Sequence, residues 1–285
     1  MSSVSVCTIA GGRDAHLHAL VEGLSAQTVP PSELVIGRLQ SVPYGNLPAT
    51  SFPVRQVSIV GKRMQLSRAR NRAAATAGGE TLVFLDVDCV PGPALVERLT
   101  EAAQAGCAMG DVRYLAQDDI AEDRCFDRLW RAGTEHPARA FSSRFGPGTH
   151  RLADATEFWS LCFAIRRDAF WEIGGFDETY EGYGGEDTDF AMALEGLQIP
   201  LQWCSQARAV HQWHPVQKPP LDHLQDIVRN ANLFHAKHGR WCMDYWLDQF
   251  ERDGYVARRD VLEVLRNPSV AERKAAICDG AVRFS

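Results

Sequence analysis

The sequence predicts an α/β protein, a mostly parallel sheet flanked by helices with a helical extension at the carboxyl end. Three observations predict it. Short apolar or β-branched runs alternate with segments whose apolar residues recur at helical spacing. Glycine and proline pairs punctuate the transitions. Beyond Pro219-Pro220 the pattern is helical to the end, which divides the chain into residues 1–220 and an extension, 221–285, packed on them.

Taken in order, Val4 to Ile9 is a β-branched run ending at Gly11-Gly12, after which Leu17, Leu20, Val21 and Leu24 mark a helix stopped by Pro30-Pro31. Glu33 to Gly37 is a second strand. A loop rich in proline leads to a third, Val54 to Val60. Ser67 is expected to cap a helix that runs through Ala77 and closes at Gly78-Gly79, and Thr81 to Leu85 is a fourth, apolar strand. Pro91 is expected to start a helix reaching about Ala105, with Cys107 to Leu115 extended behind it. Asp118 to Ala155 is mixed, with a mobile loop expected around Phe145 to Gly148. Phe158 to Ile165 reads as a strand, Arg167 to Ile173 as a helix, and Glu186 to Leu194 as a helix ending near Gly196 with its acids in the first turn. Ile199 to Cys204 and Arg208 to Val210 read as two short strands.

With 285 residues, 45% apolar and 23% charged, the chain has an ordinary globular composition and can bury a large core. A formal charge of −6 argues against a nucleic acid duplex as partner, since that needs a concentrated basic face. Eight cysteines, evenly spread and without a C-x-x-C pair, signal neither zinc nor a dithiol couple; they read as reduced thiols of a cytoplasmic protein. The amino terminus lacks a secretory signal, and no stretch approaches the ~18 apolar residues of a membrane span. Peripheral attachment to a membrane stays open.

The chemistry concentrates between Gly174 and Asp189, where six carboxylates stand among five glycines and two tyrosines. Gly182, Gly184 and Gly185 give a loop that can approach a ligand closely and deliver Glu186 and Asp187 to a helix start. Two neighbouring acids beside a bound hydroxyl can divide the labour: Glu186 holds the sugar and Asp187 accepts its proton. An acidic helix cap is the plainer explanation, but capping does not call for glycines and tyrosines on both sides. Upstream, Asp86 and Asp88 end an apolar strand, and residues two apart share a strand face, so both can meet a hard divalent cation. Two solvated acids at a strand end are the alternative. Downstream, His211 and His214 offer imidazoles of the kind that suit manganese, or else lie on a polar loop. Arg68, Arg70 and Asn71 open a helix whose amino end can attract a diphosphate, or form a solvated helix face. Ile9, Gly11 and Arg13 after the first strand, with Val87, complete the set expected along a nucleotide; the pattern is not the dinucleotide fingerprint. Acids for a metal, imidazoles to complete its shell and a second acid cluster for proton transfer point to a transferase acting on a sugar nucleotide.

Four segments, Ser67 to Asn71, Ala77 to Asp88, Gly174 to Asp187 and His211 to His214, resemble glycosyltransferase family 2, especially its galactosyltransferase-like branch with the GT-A fold, across about residues 4 to 240. The resemblance implies Mn2+ (or Mg2+) bound directly by Asp88, with His214 and His211 as the remaining protein ligands and Asp86 on the ribose or a metal-bound water. It implies Asp187 as base in a single inverting displacement, with Glu186 holding the acceptor. The implied donor is a UDP-hexose carrying galactose, glucose or an N-acetylhexosamine, and the acceptor a saccharide or other hydroxyl compound. A retaining transferase, a nucleotidyltransferase and a sugar-binding protein without turnover are the rival readings. The chain departs from the pattern at Ile36-Gly37-Arg38-Leu39, where the family commonly has acids, and at Tyr183, where tryptophan is usual.

Overall fold

The structure, a computed structural model, describes residues 3–59, 61, 64–119 and 125–283. Strand β1 (Val4–Ala10) leads through Gly11–Arg13 into α1 (Asp14–Ser25); β2 (Glu33–Arg38), β3 (Val54–Ser58), α2 (Leu66–Thr76) and β4 (Thr81–Leu85) follow. The middle comprises β5 (Cys89–Pro91), α3 (Leu95–Ala102), β6 (Cys107–Tyr114), α4 (Phe126–Ala132), β7 (Thr134–Glu135), α5 (Phe141–Arg144) and β8 (Thr149–Arg151). Then come β9 (Cys162–Arg166), α6 (Arg167–Ile173), α7 (Glu186–Gly196) and β10 (Leu201–His211). The last part holds α8 (Leu224–His238), α9 (Asp244–Arg252), β11 (Val256–Arg258), β12 (Leu262–Val264) and α10 (Val270–Ala275).

The main path through the large sheet is β3-β2-β1-β4-β9-β6-β10-β5. Its first four strands are parallel, as the alternation of strand and helix requires of right-handed crossovers through α1 and α2. Beyond β4 the sheet is mixed: β9 runs antiparallel between β4 and β6, β10 is parallel to β6, and β5 is antiparallel to β10. That order brings the ends of β4 and β10, distant in sequence, to one edge.

Each face of the sheet is covered by apolar residues from helices. On one, Leu17, Leu20, Val21 and Leu24 of α1 join Leu95, Val96 and Leu99 of α3. On the other, aromatic rings dominate: Phe84 stacks on Phe163 with centroids 4.6 Å apart, and Phe176 on Phe190 at 4.4 Å. Phe170 and Trp203 belong to the same cluster, so α6 and α7 are held to the sheet by rings that outweigh any local propensity.

The folded chain departs from several expectations. Gln65, not Ser67, precedes α2, and the Ser67 hydroxyl is buried within the helix. Pro91 closes β5, where an edge strand tolerates a residue without an N–H, and α3 starts at Leu95. Phe158 lies ahead of β9, which starts at Cys162. The two short strands after Ile199 are one, β10, with a register shift between Cys204 and Arg208. The segment Phe145 to Gly148, expected as a mobile loop, is anchored: Phe145 stacks on His150, and Gly148 N donates to Ser205 Oγ. Of the third strand, Val60 lies outside the described residues.

The tail is not wholly helical, because β11 and β12 pair as an antiparallel hairpin. Leu224, Ile227, Leu247, Phe250 and Val256 form its own apolar cluster, and Tyr183 packs against it. Lys237 and His238 of α8 both reach Asp189 of α7, at 2.9 and 2.7 Å. The tail is therefore fastened to the segment that carries the acidic motif.

Truncating the fully buried Phe163 to Ala should cost about 3–5 kcal/mol of stability, read as a lower midpoint of urea unfolding. Trp171→Ala, at a ring 41% exposed, should cost less than about 1 kcal/mol.

Candidate active site

Strand β4 stops at Leu85, and Asp86 to Cys89 is a tight turn closed by Cys89 N donating to Asp86 O at 2.9 Å. Asp86 and Asp88 are therefore not side by side on a strand face. The turn sends Asp88 toward β10 and Arg13, and Asp86 toward α2. Gln212 N donates to Asp88 O at 2.7 Å, which fastens this turn to the end of β10.

Around the buried Asp88 carboxylate, Arg13 Nη1 donates to Oδ2 at 2.9 Å, His211 Nε2 lies 3.4 Å from Oδ1 and His214 Nε2 lies 3.5 Å from Oδ2. Burial opposes ionisation of Asp88, but His211, Arg13 and His214 outweigh it and hold the carboxyl below its usual range. The His211 ring is steadied by Tyr114, stacked at 4.8 Å. His214 Nδ1 lies 3.1 Å from the Pro215 carbonyl, which can only accept, so Nδ1 carries the proton and Nε2 presents its lone pair to Asp88. Burial and Arg13 push His214 down to about 4, so this imidazole is neutral near pH 7. A lone pair facing a carboxylate oxygen asks for a cation between them. One ligand atom from each of Asp88, His211 and His214 falls within 4.8 Å of the others, and Asp88 Oδ1 is buried without a hydrogen bond among the described residues. The donor set fits a divalent ion of the manganese type.

The second half of the site starts at the glycine loop. Gly182, Gly184 and Gly185 have φ of 77°, 85° and 92°. Side chains at Gly182 and Gly184 would clash with Asp226 and Met243, and one at Gly185 would press on Tyr180. Packing thus favours bare backbone at both, against Met243 of the tail at Gly184 and against Tyr180 and Asn230 at Gly185. Asn230 of α8, buried, directs its amide at three carbonyls of this loop, Glu181 at 3.0 Å, Tyr183 at 3.2 Å and Gly184 at 2.7 Å.

That loop places Glu186 and Asp187 in the first turn of α7. Arg70 of α2, itself buried, points into them: Nη1 is 3.2 Å from Glu186 Oε1 and 3.8 Å from Asp187 Oδ1, and Nη2 is 3.3 Å from Asp86 Oδ1. Burial, with Asp187 beside it, raises Glu186 to about 7 against the pull of Arg70. Burial likewise raises Asp86 to about 6; Arg70 opposes the shift, and Asp88 and Asp187 add to it. Asp187 Oδ2 accepts from Ser160 N at 3.1 Å, and its Oδ1 accepts no hydrogen bond among the described residues.

The structure therefore gathers Asp88, His211, His214 and Arg13 into one group and Asp86, Arg70, Glu186 and Asp187 into another, adjoining through Asp86. The other residues expected along a nucleotide have these neighbours within the chain. Arg70 is spent on carboxylates. Asn71 uses both amide hydrogens, on Phe176 O at 2.8 Å and Glu178 Oε1 at 3.1 Å, and its Oδ1 accepts from Phe176 N, so it ties α2 to the Gly174–Glu178 loop. Arg68 is exposed, 3.9 Å from Glu178. Ile9 is buried with Ile59 and Ala69, Gly11 packs on Leu39, and Val87 joins the core. Sequence reasoning missed Ser160, Tyr114 and Asn230; the first acts through its backbone and the last is 46 residues from its nearest bonded carbonyl in the chain, so neither leaves a local pattern. A cavity of about 380 Å³ lies elsewhere, between α1 and α4, and none of these acids or histidines borders it.

Comparisons with known proteins find likenesses along much of the chain. Residues 43–174 match glycosyl transferase family 2, and residues 143–211 match the N-terminal domain of galactosyltransferase. Validoxylamine A glucosyltransferase of Streptomyces hygroscopicus subsp. jinggangensis (strain 5008) is 26% identical over 192 residues, covering 61% of this chain and 45% of that protein. N-acetylgalactosaminyltransferase 6 of Drosophila melanogaster is 27% identical over 248 residues, covering 80% and 34%. The chain thus spans less than half the length of these relatives. Among solved structures, that of GalNAc-T7 with UDP, GalNAc and Mn2+ superposes with a TM-score of 0.51 at 15% identity, covering 89% of this chain and 54% of the other. S. aureus TarS gives 0.55 at 13% identity, covering 89% and 43%. These likenesses establish the GT-A fold. With that fold, and with Asp86, Asp88, Asp187 and His211 inside the matched segments, the chain is similar to glycosyl transferase family 2 over residues 43–174 and to the N-terminal domain of galactosyltransferase over residues 143–211.

Proposed function

We propose that the chain transfers a hexose, galactose-like or an N-acetylhexosamine, from a UDP-sugar to an acceptor hydroxyl with inversion, and that Asp187 is the general base. The observation that carries this reading is the pairing of a cation-seeking cluster, Asp88, His211 and His214, with the neighbouring acids Glu186 and Asp187, of which Asp187 keeps its side chain 29% exposed. The solved likeness with UDP, GalNAc and Mn2+ supports the choice of donor and metal. Asp88, His211 and His214 would hold manganese or magnesium, whose chemistry is to neutralise charge on the departing diphosphate.

The chain's own residues do the rest. Ser160 N donates to Asp187 Oδ2 and Arg70 lies 3.8 Å from Oδ1, which fixes a partly exposed carboxylate to take the proton of the acceptor hydroxyl as that hydroxyl oxygen attacks the anomeric carbon and the diphosphate leaves. Arg70 keeps the acids together without neutralising any one of them completely. Glu186, raised to about 7, retains a proton near neutral pH and can donate it in a hydrogen bond to a sugar oxygen. Asp86 faces the ribose side. Residues 221–285 serve as the brace that shapes the acidic loop. Among the described residues no helix is long and apolar enough to cross a membrane; we place the reaction in the cytoplasm, with a saccharide or other hydroxyl compound as acceptor.

Asp187→Asn should lower transfer by about 10²–10⁴-fold and leave calorimetric UDP binding in manganese nearly unchanged; full transfer in that variant would remove Asp187 from the role. A chelator should abolish transfer, and re-addition of manganese should restore it. Glu186 gives a further test through stability. Its folded value near 7 lies above the ordinary 4.5, so between those values the folded chain holds a proton that the unfolded chain has released, and stability falls as pH rises through this window. Glu186→Gln keeps an oxygen for Arg70 and removes that penalty. The variant should be more stable than the parent at pH 8, by up to about 3 kcal/mol, with the gain fading toward pH 4.5. An equal gain at both ends of a urea-unfolding pH series would refute the assignment.

A further inference from the structure

Arg13 is the one full cation hydrogen-bonded to Asp88 among the described residues, and it occupies the same oxygen, Oδ2, that His214 Nε2 faces. Its hold is a single one. Its side chain is 36% exposed, and Asp88 is its one hydrogen-bond partner among the described residues. The backbone beneath it is pinned, with Gly12 bonded to Gln40 and Tyr44 and Arg13 O accepting from His16 N and Leu17 N, so any displacement is one of the side chain. By contrast Arg70 is buried and shared among three carboxylates.

An ion bound by Asp88, His211 and His214 would lie within a few ångströms of the Arg13 guanidinium, and two positive centres that close, partly shielded from water, repel strongly. Arg13 and the metal therefore compete for one carboxylate. We infer that Arg13 is a placeholder counter-ion: in the ligand-free chain it supplies the positive charge that Asp88 lacks, and it leaves for the donor's diphosphate when metal and nucleotide enter together. Each of those ligands then tightens the other, because the diphosphate draws off the cation that opposes the metal. The inference rests on the metal reading above and adds to it a role for a residue that is not a metal ligand.

The test measures Mn2+ binding directly, from the electron paramagnetic resonance signal of free Mn2+, with and without UDP, in the parent chain, Arg13→Gln, Arg13→Lys and Asp88→Asn. Without nucleotide, Arg13→Gln should bind Mn2+ roughly tenfold tighter than the parent, and UDP should improve Mn2+ affinity less in it than in the parent. Arg13→Lys, which keeps the charge, should resemble the parent. Circular dichroism confirms that each variant is folded. If Arg13→Gln binds Mn2+ no tighter than the parent in the absence of UDP, Arg13 is not a placeholder, and the metal reading stands untouched. If Asp88→Asn binds Mn2+ as well as the parent, the metal reading itself fails and this inference with it.

Discussion

A single buried guanidinium makes the acidic site tenable. Asp86, Glu186 and Asp187 come from two separate segments and would repel one another in a water-poor cleft, and Arg70 lies within 3.8 Å of all three. Its position follows from packing rather than from charge. Helix α2 is lined with alanines, Ala69, Ala73 and Ala74, all buried, which lets its backbone sit close to the sheet. A side chain at Gly37 of β2 would meet Ala69 O at 2.9 Å, so the glycine in the departing Ile36–Leu39 stretch is there to admit the helix. One residue further along α2, Asn71 grips the loop before the acidic motif. Two consecutive side chains thus set both the charges and the geometry on the acid side.

The tail completes that geometry from the other direction. Asn230 is almost fully buried and holds three carbonyls of the glycine loop, and Lys237 and His238 hold Asp189. Of the six carboxylates between Gly174 and Asp189, Asp177 and Asp189 are structural: the first closes a turn onto Thr179 and meets Lys237, and the second ties α7 to α8. A motif that looks uniformly reactive in sequence is divided in space. Some of its acids hold the segment down so that others can face the cleft.

Much of the fold was legible because burial imposes periodicity: β1, β2, β4, α1, α6 and α7 lie where their apolar spacing puts them. The acids and imidazoles were legible as residue types. Their geometry was not. The two-residue rule for Asp86 and Asp88 fails because the chain turns after Leu85, and a turn has no strand face. A cation near a helix start looks the same in sequence whether it meets a diphosphate, as expected of Arg70, or three carboxylates, as found. Pro91 signals a break without saying whether a strand ends or a helix begins. The glycines of the loop signalled freedom for a ligand's approach, and the tail that needs their bare backbone was too far along the chain to be read with them.

The balance of charge ties the two halves together. Four carboxylates, Asp86, Asp88, Glu186 and Asp187, face two guanidiniums, Arg13 and Arg70. The raised values of Asp86 and Glu186 show how that shortage is met in the chain alone, by retained protons. A sugar nucleotide adds the negative charge of its diphosphate, so on the proposed reading it cannot settle against Asp86 and Asp88 unless positive charge arrives with it. Protons bound to Asp86 and Glu186 are the wrong answer, since they sit away from where a leaving diphosphate gains charge. On that reading a divalent ion at Asp88, His211 and His214 would make up the deficit on the diphosphate side and would leave the acids near Asp187 for the acceptor. The separation of Asp86 from Asp88 by the turn, which the strand pattern concealed, gives one acid to Arg70 and would leave the other to that ion.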